Sequence, residues 1–284
     1  MRKNTFCFFI VVVATIISFS ITGCRNKKPL ETMDSVVVDT ARIDSSAIDT
    51  MDNIIAETPM PKAADELFDD FIFNFAANKK LQFERINFPL PVYHDNKVEQ
   101  IKRNQWTMEH FFMRQEFYTL IFDNAKQMKV VKDTTIDHVV IEKIFFKKKT
   151  IKEYVFNRIN GQWRLINIAY KGMHKNLNAS FLNFYYKFVT DSTFQINSVH
   201  NPLQFSGPDP DDDFGIMNGT LEPEQWSSFA PQLPSNYIYN ILYGQSYKES
   251  REKVFVIRGI ANGLETELTF KYLGNSWKLI KLSM

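Results

Sequence analysis

Tyr154-Val-Phe156…Gly161-Gln-Trp163-Arg-Leu165-Ile166 reads as a strand, a tight turn and a Trp-bearing strand. It returns as Leu268-Thr-Phe270…Gly274-Asn-Ser-Trp277-Lys-Leu279-Ile280, with the Phe, Trp, Leu and Ile matches 114 residues on. Upstream, Phe68-Asp-Asp-Phe71…Phe75…Leu81-Gln82…Pro89-Leu90 returns 113 residues on as Phe181-Leu-Asn-Phe184…Phe188…Phe194-Gln195…Pro202-Leu203. Self-similarity at so long a period implies duplicated domains, because solenoid repeats run at only about 20–50 residues. The expectation is two like units, residues 63–173 and 174–284, each large enough to bury its own core.

In the first unit Leu67, Phe68, Phe71, Ile72 and Phe75 fit one helical face, with Asp65, Glu66, Asp69 and Asp70 in the first turns, where the helix dipole favours acids. Phe83–Pro91 reads as extended and Met108–Arg114 as a short helix. Glu116–Phe122, Ile136–Phe146, Lys152–Ile159 and Gln162–Tyr170 read as strands, with turns at Lys147–Lys149 and Asn160-Gly161. In the second unit Leu182–Val189 reads as helix and the stretch from Phe205 as loop. Tyr237–Leu242, Val254–Ala261, Glu265–Tyr272 and Trp277–Leu282 read as strands. The class is α+β. This element order resembles the cone fold of the nuclear-transport-factor-like and ketosteroid-isomerase-like (SnoaL-like) superfamily. The resemblance implies two tandem cone-like units, each with N-terminal helices packed on a strongly bent antiparallel sheet around a pocket.

Residues 1–23 have a basic start at Arg2 and Lys3, an apolar stretch and a small-residue exit, the plan of a secretory signal peptide. The exit Ile21-Thr22-Gly23-Cys24 resembles the lipobox of bacterial lipoproteins, which implies acylation of Cys24 and anchoring to the envelope; an ordinary signal peptide with an incidental Cys is the plain alternative. With the tandem order behind it, the chain is similar to an uncharacterised family of Bacteroidetes lipoproteins. Arg25, in place of the Asp that often marks inner-membrane retention, points within that resemblance to the outer membrane, facing the periplasm. Residues 24–62 lack aromatic residues and repeat Asp-Ser/Thr every five positions, a period that gathers no apolar face in helix or strand, so they read as a disordered tether. Once Cys7 leaves with the leader and Cys24 carries lipid, neither a disulfide nor a thiol nucleophile remains. Without Arg2 and Lys3, the 32 basic side chains left equal the 32 acidic ones, so nucleic acid is excluded as a partner on charge. The partners expected are the membrane through the anchor, a small ligand or an envelope protein, and a second copy of the chain through exposed sheet faces.

His94, His110, His138, His174 and His200 are scattered singly, without zinc-binding spacing. Nucleophile-elbow, Walker and dinucleotide-binding patterns are absent from the sequence. Asp209, Asp211 and Asp213 alternate as in a calcium loop, but Phe214 stands where an EF-hand needs Gly and Thr220 where it needs Glu. Calcium there is the one cofactor considered, against a solvated, proline-stiffened loop. An isomerase-like enzyme needs a pocket carboxylate and a Tyr or protonated acid. Tyr118, Asp123, His138, Glu142 and Tyr154 in the first unit, and Tyr185, Tyr237, Tyr239 and Glu267 in the second, are the pocket candidates, though strand alternation reads Glu142 as a surface carboxylate. Phe111, Phe112 and Tyr186 join Tyr185 as aromatics that differ between the units. The expected function is a non-catalytic, lipid-anchored envelope protein that binds an apolar or peptide-like ligand or a protein partner. The alternatives are an isomerase-like enzyme and a structural envelope scaffold.

Overall fold

Phe68, Phe71, Ile72, Phe75 and Ala76 share the buried side of α1 (Phe68–Ala77), with Asp69 and Asp70 in its first turn. Asn78 ends α1 and caps α2 (Lys79–Arg85), its side chain accepting from the Leu81 amide at 3.0 Å. The second half repeats the device: Asp191 closes α3 (Ala179–Thr190) and caps α4 (Ser192–Asn197) through the Phe194 amide at 2.9 Å. The computed structural model describes residues 65–209, 211–244, 250–260 and 263–284, without the side chain of Asp213. The leader, Cys24 and the tether lie outside the described residues. Among the described residues no helix is long and apolar enough to cross a membrane.

The strands of the first half are β1 (Leu90–His94), β2 (Lys97–Ile101), β3 (Phe117–Phe122), β4 (His138–Phe145), β5 (Thr150–Ile159) and β6 (Gln162–Gly172). Those of the second are β7 (Val199–Asp209), β8 (Asp212–Leu221), β9 (Tyr237–Tyr243), β10 (Glu252–Gly259), β11 (Glu265–Leu273) and β12 (Ser276–Ser283), with the short α5 (Trp226–Phe229) before β9. Three expectations need correction. Phe83–Arg85 completes α2 instead of running extended, because Leu81, Gln82 and Arg85 bury one helical side. Met108–Arg114 contributes only a 3-10 turn at Phe111–Gln115. The stretch from Phe205 is the paired hairpin β7–β8, whose strands outrun β1–β2, which accounts for the longer interval before Trp226.

All twelve strands join one bent α+β sheet in the order β2-β1-β6-β5-β4-β9-β3-β10-β11-β12-β7-β8. The described residues from 65 to 284 belong to one compact unit, so the two halves share a single body. Read from either edge, the order is hairpin, closing strand, then two meander strands. The innermost pair is interchanged: β9 pairs with β4, β3 pairs with β10, and β3 and β9 meet in parallel at Thr119 and Asn240. Both innermost strands therefore end at the same end of the sheet, where Asp123 follows β3 and Ser250 precedes β10. The buried Asp123–Lys253 ion pair and a hydrogen bond from Ser250 Oγ to the Asp123 carbonyl at 3.1 Å join the halves at that end.

Each half has its own core, and the two cores lie on opposite faces. On β3, Tyr118, Leu120 and Phe122 belong to the first and Ile121 to the second; on β10, Val254 and Val256 belong to the first and Phe255 to the second. Burial on both faces explains the unbroken apolar runs of the central strands. The aromatic packing repeats closely. Phe68 meets Trp163 edge-on at 5.0 Å and Phe181 meets Trp277 at 5.5 Å, while Phe75–Phe156 and Phe188–Phe270 are both 5.4 Å apart and near perpendicular. Bulges at Val155/Phe156 and Thr269/Phe270 fall at equivalent places and bend the sheet at each. The turn at Asn160-Gly161 takes positive φ at both residues, as a tight hairpin requires.

Candidate functional site

Register, rather than any linear motif, assembles the site. On the face that carries α1 and α2, His94, Tyr170, Lys152, Lys143 and Tyr239 are successive cross-strand neighbours along β1, β6, β5, β4 and β9. Tyr170, Lys152 and Lys143 of this row line a cleft of about 320 Å³, closed by Glu109, Phe145, Lys148 and Tyr154. Glu109 is the only acid in the lining. Its Oε2 accepts from the Tyr154 hydroxyl and lies 3.6 Å from Lys152 Nζ, while the Tyr239 hydroxyl reaches Oε1 at 3.5 Å.

Lys143 and Lys152 stand directly opposite each other, an arrangement that costs stability because like charges face across the ladder. Lys152 Nζ lies 4.5 Å from the Tyr154 ring centre. Lys143 Nζ lies 4.8 Å from Tyr239, 5.1 Å from Tyr237 and 5.5 Å from Phe145. Burial pushes both lysines below the usual ammonium range. Burial would raise Glu109, but the Tyr154 hydrogen bond and the charges of Lys152 and Lys143 outweigh it and hold the carboxyl below its ordinary value. Burial, with the Glu109 charge next, drives the Tyr154 and Tyr239 hydroxyls well up, so they remain donors at neutral pH.

Glu109 is placed by a residue that does not line the cleft. The side chain of Gln82, fully buried on α2, donates to the carbonyls of Phe75 at 2.9 Å and Glu109 at 2.7 Å. Its Oε1 accepts from Trp106 Nε1 and from the Glu109 amide, both at 3.1 Å. Every donor of that amide group is used, and the backbone of Glu109 is pinned from both sides.

The second half has an equivalent cleft of about 710 Å³ without this chemistry. Ile257, Gly259, Leu264 and Thr266 line it at the positions of Lys143, Phe145, Thr150 and Lys152, each 114 residues on, and Leu268 replaces Tyr154. Its lining holds no Lys or Arg and one acid, Glu116.

Two further polar clusters lie outside the cleft. Asp69 on α1 accepts from the Tyr243 hydroxyl and from Tyr118 at 3.4 Å, with Arg258 Nη1 at 3.9 Å; Arg258 Nε also donates to Glu265 at 2.5 Å. Burial, partly countered by Tyr243 and Arg258, raises the Asp69 carboxyl, and burial with the Asp69 charge pushes Tyr118 up to about 12. This cluster ties α1 to β3, β9 and β10. Glu142 is the other case, and its reading as a surface carboxylate is corrected: it is 1% exposed, because the second half covers the face opposite the cleft. Its oxygens accept from Asn176 Nδ2 at 2.5 Å and Asn240 Nδ2 at 3.0 Å, with Lys171 Nζ 3.7 Å away. Burial raises its carboxyl to about 7 against those stabilising partners.

Of the other residues singled out in the sequence, Tyr154 lines the cleft, Tyr239 reaches Glu109 from behind it, and Tyr237 lines the second cleft with its ring beneath Lys143. Four are placed elsewhere. His138 is exposed at the start of β4, 2.7 Å from Asn157 Oδ1; Tyr185 is buried in the second core, donating to the Pro234 carbonyl; Phe111 and Phe112 fill the first core. Glu267 is half-buried on β11, its carboxyl raised by burial and then by Glu265. Asp209 sits at the tip of the β7–β8 hairpin, where its Oδ1 already accepts from the Asp211 amide at 3.0 Å; the side chain of Asp213 lies outside the described residues. Among the described residues no three His, Cys, Asp or Glu side chains converge as a metal site. Glu109, Lys143 and Lys152 were missed. The signal that reveals them is the comparison of the halves, where charge in one stands opposite neutral residues in the other.

A family profile described as a domain of unknown function (DUF4348) matches residues 47–284. Among solved structures, an NTF2-like protein of Bacteroides fragilis NCTC 9343, known from a crystal structure, is similar at 41% identity over 79% of this chain and 98% of its own, with a TM-score of 0.73. A comparison with curated proteins found no match.

Proposed function

The chain belongs to the DUF4348 family, whose function is unknown, and its fold is NTF2-like; from those premises we propose that it is a non-catalytic binding protein whose ligand site is the cleft of Glu109, Lys143 and Lys152. In this reading the chain is two fused cone-like units, of which the first kept a functional cleft and the second became a neutral counterpart. It is held to the cell envelope through Cys24, at the outer membrane and facing the periplasm, with residues 25–62 as the spacer.

One observation carries the proposal. Two opposed lysines and a carboxylate are kept half-buried at positions where the other half uses Ile257, Thr266 and Phe229, although the same fold is completed there without charge. Burying charge costs stability, so a fold that needs none at these places has another use for it. The isomerase-like reading is favoured by one fact, that a carboxylate and two tyrosines meet in the same cleft. It is weakened by another: Glu109 is held below its ordinary value and is a poor proton acceptor. Native mass spectrometry of the protein purified from its own host tests the proposal. A small molecule released on organic extraction supports it, and its loss in the Lys143→Met variant assigns the cleft. Consistently empty protein, together with turnover of a carbonyl substrate that Glu109→Gln abolishes, moves the assignment to the enzyme.

A further inference from the structure

Resting on the cleft as the ligand site, we propose that its ligand is a small anion, a carboxylate or sulfonate carried on a flat aromatic body. The charge balance of the cleft supports this first. Lys143, Lys148 and Lys152 line it against the single acid Glu109, so the lining holds more positive charge than it neutralises. The state of Lys143 sharpens the point. Among the described residues, every other buried or half-buried Lys or Arg has a carboxylate within 4 Å or an oxygen acceptor. Arg85 has Asp65, Lys152 has Glu109, Lys171 has Glu153, Lys253 has Asp123 and Arg258 has Glu265. Arg158, Arg164 and Lys278 donate to oxygen acceptors: a backbone carbonyl for each and, for Arg164, the Gln162 side chain as well.

Lys143 has ring faces only. A half-buried ammonium opposite a second ammonium, with Glu109 acting on it only from beyond contact distance, lacks a contacting anion, and an acidic group entering between the two supplies one. The walls state the rest of the ligand. Tyr170, exposed at its rim, and half-buried Phe145 present rings beside the ammonium groups, and Tyr170 is backed by His94, stacked on it at 4.6 Å and 7°. Rings so arranged accept a planar body by stacking while the lysines take its charge. Glu109 sets the limit on that charge, since it repels a second acidic group and favours a monoanion.

Two naphthalene dyes that differ mainly by one sulfonate provide the test: 8-anilinonaphthalene-1-sulfonate, and neutral N-phenyl-1-naphthylamine. Residues 47–284, the extent of the family match, serve as the protein, since the Bacteroides fragilis protein is folded over a match of 79% of this chain. Wild-type protein is expected to bind the sulfonate saturably and at least tenfold more tightly than the neutral dye. Lys143→Met and Lys152→Met each weaken the sulfonate about tenfold and change the neutral dye less than twofold. Glu109→Gln tightens the sulfonate severalfold. Equal affinities for the two dyes, or lysine variants that weaken both alike, overturn the anionic class and leave the cleft as a ligand site. If neither dye binds saturably, the cleft is not a site of this kind and both readings fall. Urea midpoints of the variants within the range of the wild type separate lost binding from lost folding. Lys143→Gln, which removes the charge and keeps a polar end, must reproduce the Met result.

Discussion

Replacing Glu142 with Gln tests the burial of this carboxyl most directly. The folded protein holds its proton up to about pH 7, whereas the unfolded chain releases it near the ordinary glutamate value of 4.5. Between those values the folded state binds more protons, so this group makes stability fall as pH rises from 4.5 to about 7, and the loss is complete above that. At about 1.4 kcal/mol per pH unit, the interval makes about 3 kcal/mol. Glu142→Gln removes the ionisation at little change in shape. The new amide can accept from Asn176 and donate to Asn240 Oδ1, a buried atom without a partner in the present arrangement. The variant should match the wild type within about 1 kcal/mol at pH 4.5 and exceed it by up to about 3 kcal/mol at pH 8, a net figure in which the attraction to Lys171 is already counted. For a domain of this size that is roughly 6–12 °C in melting temperature, readable by circular dichroism in a pH series. Asp69 and Glu267, also raised, are present in both proteins and cancel in the difference. A difference that does not change with pH, or one that falls as pH rises, refutes the reasoning.

Asp65→Asn breaks the paired contacts of 2.8 and 2.9 Å to buried Arg85 and weakens the acceptor for the Trp163 amide; a loss of about 3–5 kcal/mol in urea unfolding is expected, and a loss under 1 kcal/mol counts against it. Lys253→Met leaves the buried carboxylate of Asp123 without its ammonium and should cost a similar amount, whereas Lys253→Met with Asp123→Asn should cost clearly less than the two single changes added together. Gln82→Leu abolishes four hydrogen bonds that fix Glu109 and Trp106; about 2 kcal/mol or more should be lost, and the sulfonate affinity should change although the residue does not line the cleft. Unaltered dye binding in a folded Gln82→Leu protein removes its positioning role. The dye pair with Lys143→Met and Lys152→Met supplies the remaining test.

The repeat was legible because it is written in residues that meet in the core: Phe68 with Trp163 and Phe181 with Trp277 keep nearly the same geometry, so their spacing survives in the chain. Most strands were legible from their β-branched and aromatic content. The interchange of β3 and β9 was not, because Phe117–Phe122 and Tyr237–Tyr243 are apolar on both faces and carry no mark of which neighbour they choose. Glu142 misled for the same reason, since period-two alternation assumes one solvated face and β4 has none at that point. The cleft was hidden differently. Lys143, Lys152 and Glu109 become neighbours only through cross-strand register and the Gln82 anchor, and neither leaves a linear pattern.

Because β9 completes the sheet beside β4 and β3 completes it beside β10, neither half can be lifted out as a module. A fragment ending at residue 173 keeps β3 but loses the strand that carries Tyr239, Ile241 and Tyr243 into its core, and the other fragment suffers the reciprocal loss. Tyr239, which donates to Glu109 at the floor of the cationic cleft, therefore belongs to the opposite half of the chain. Tyr237, two residues earlier on that strand, forms part of the neutral cleft. One strand, β9, thus serves both clefts, and a substitution that shifts it disturbs the two sites together although they belong to different halves of the chain.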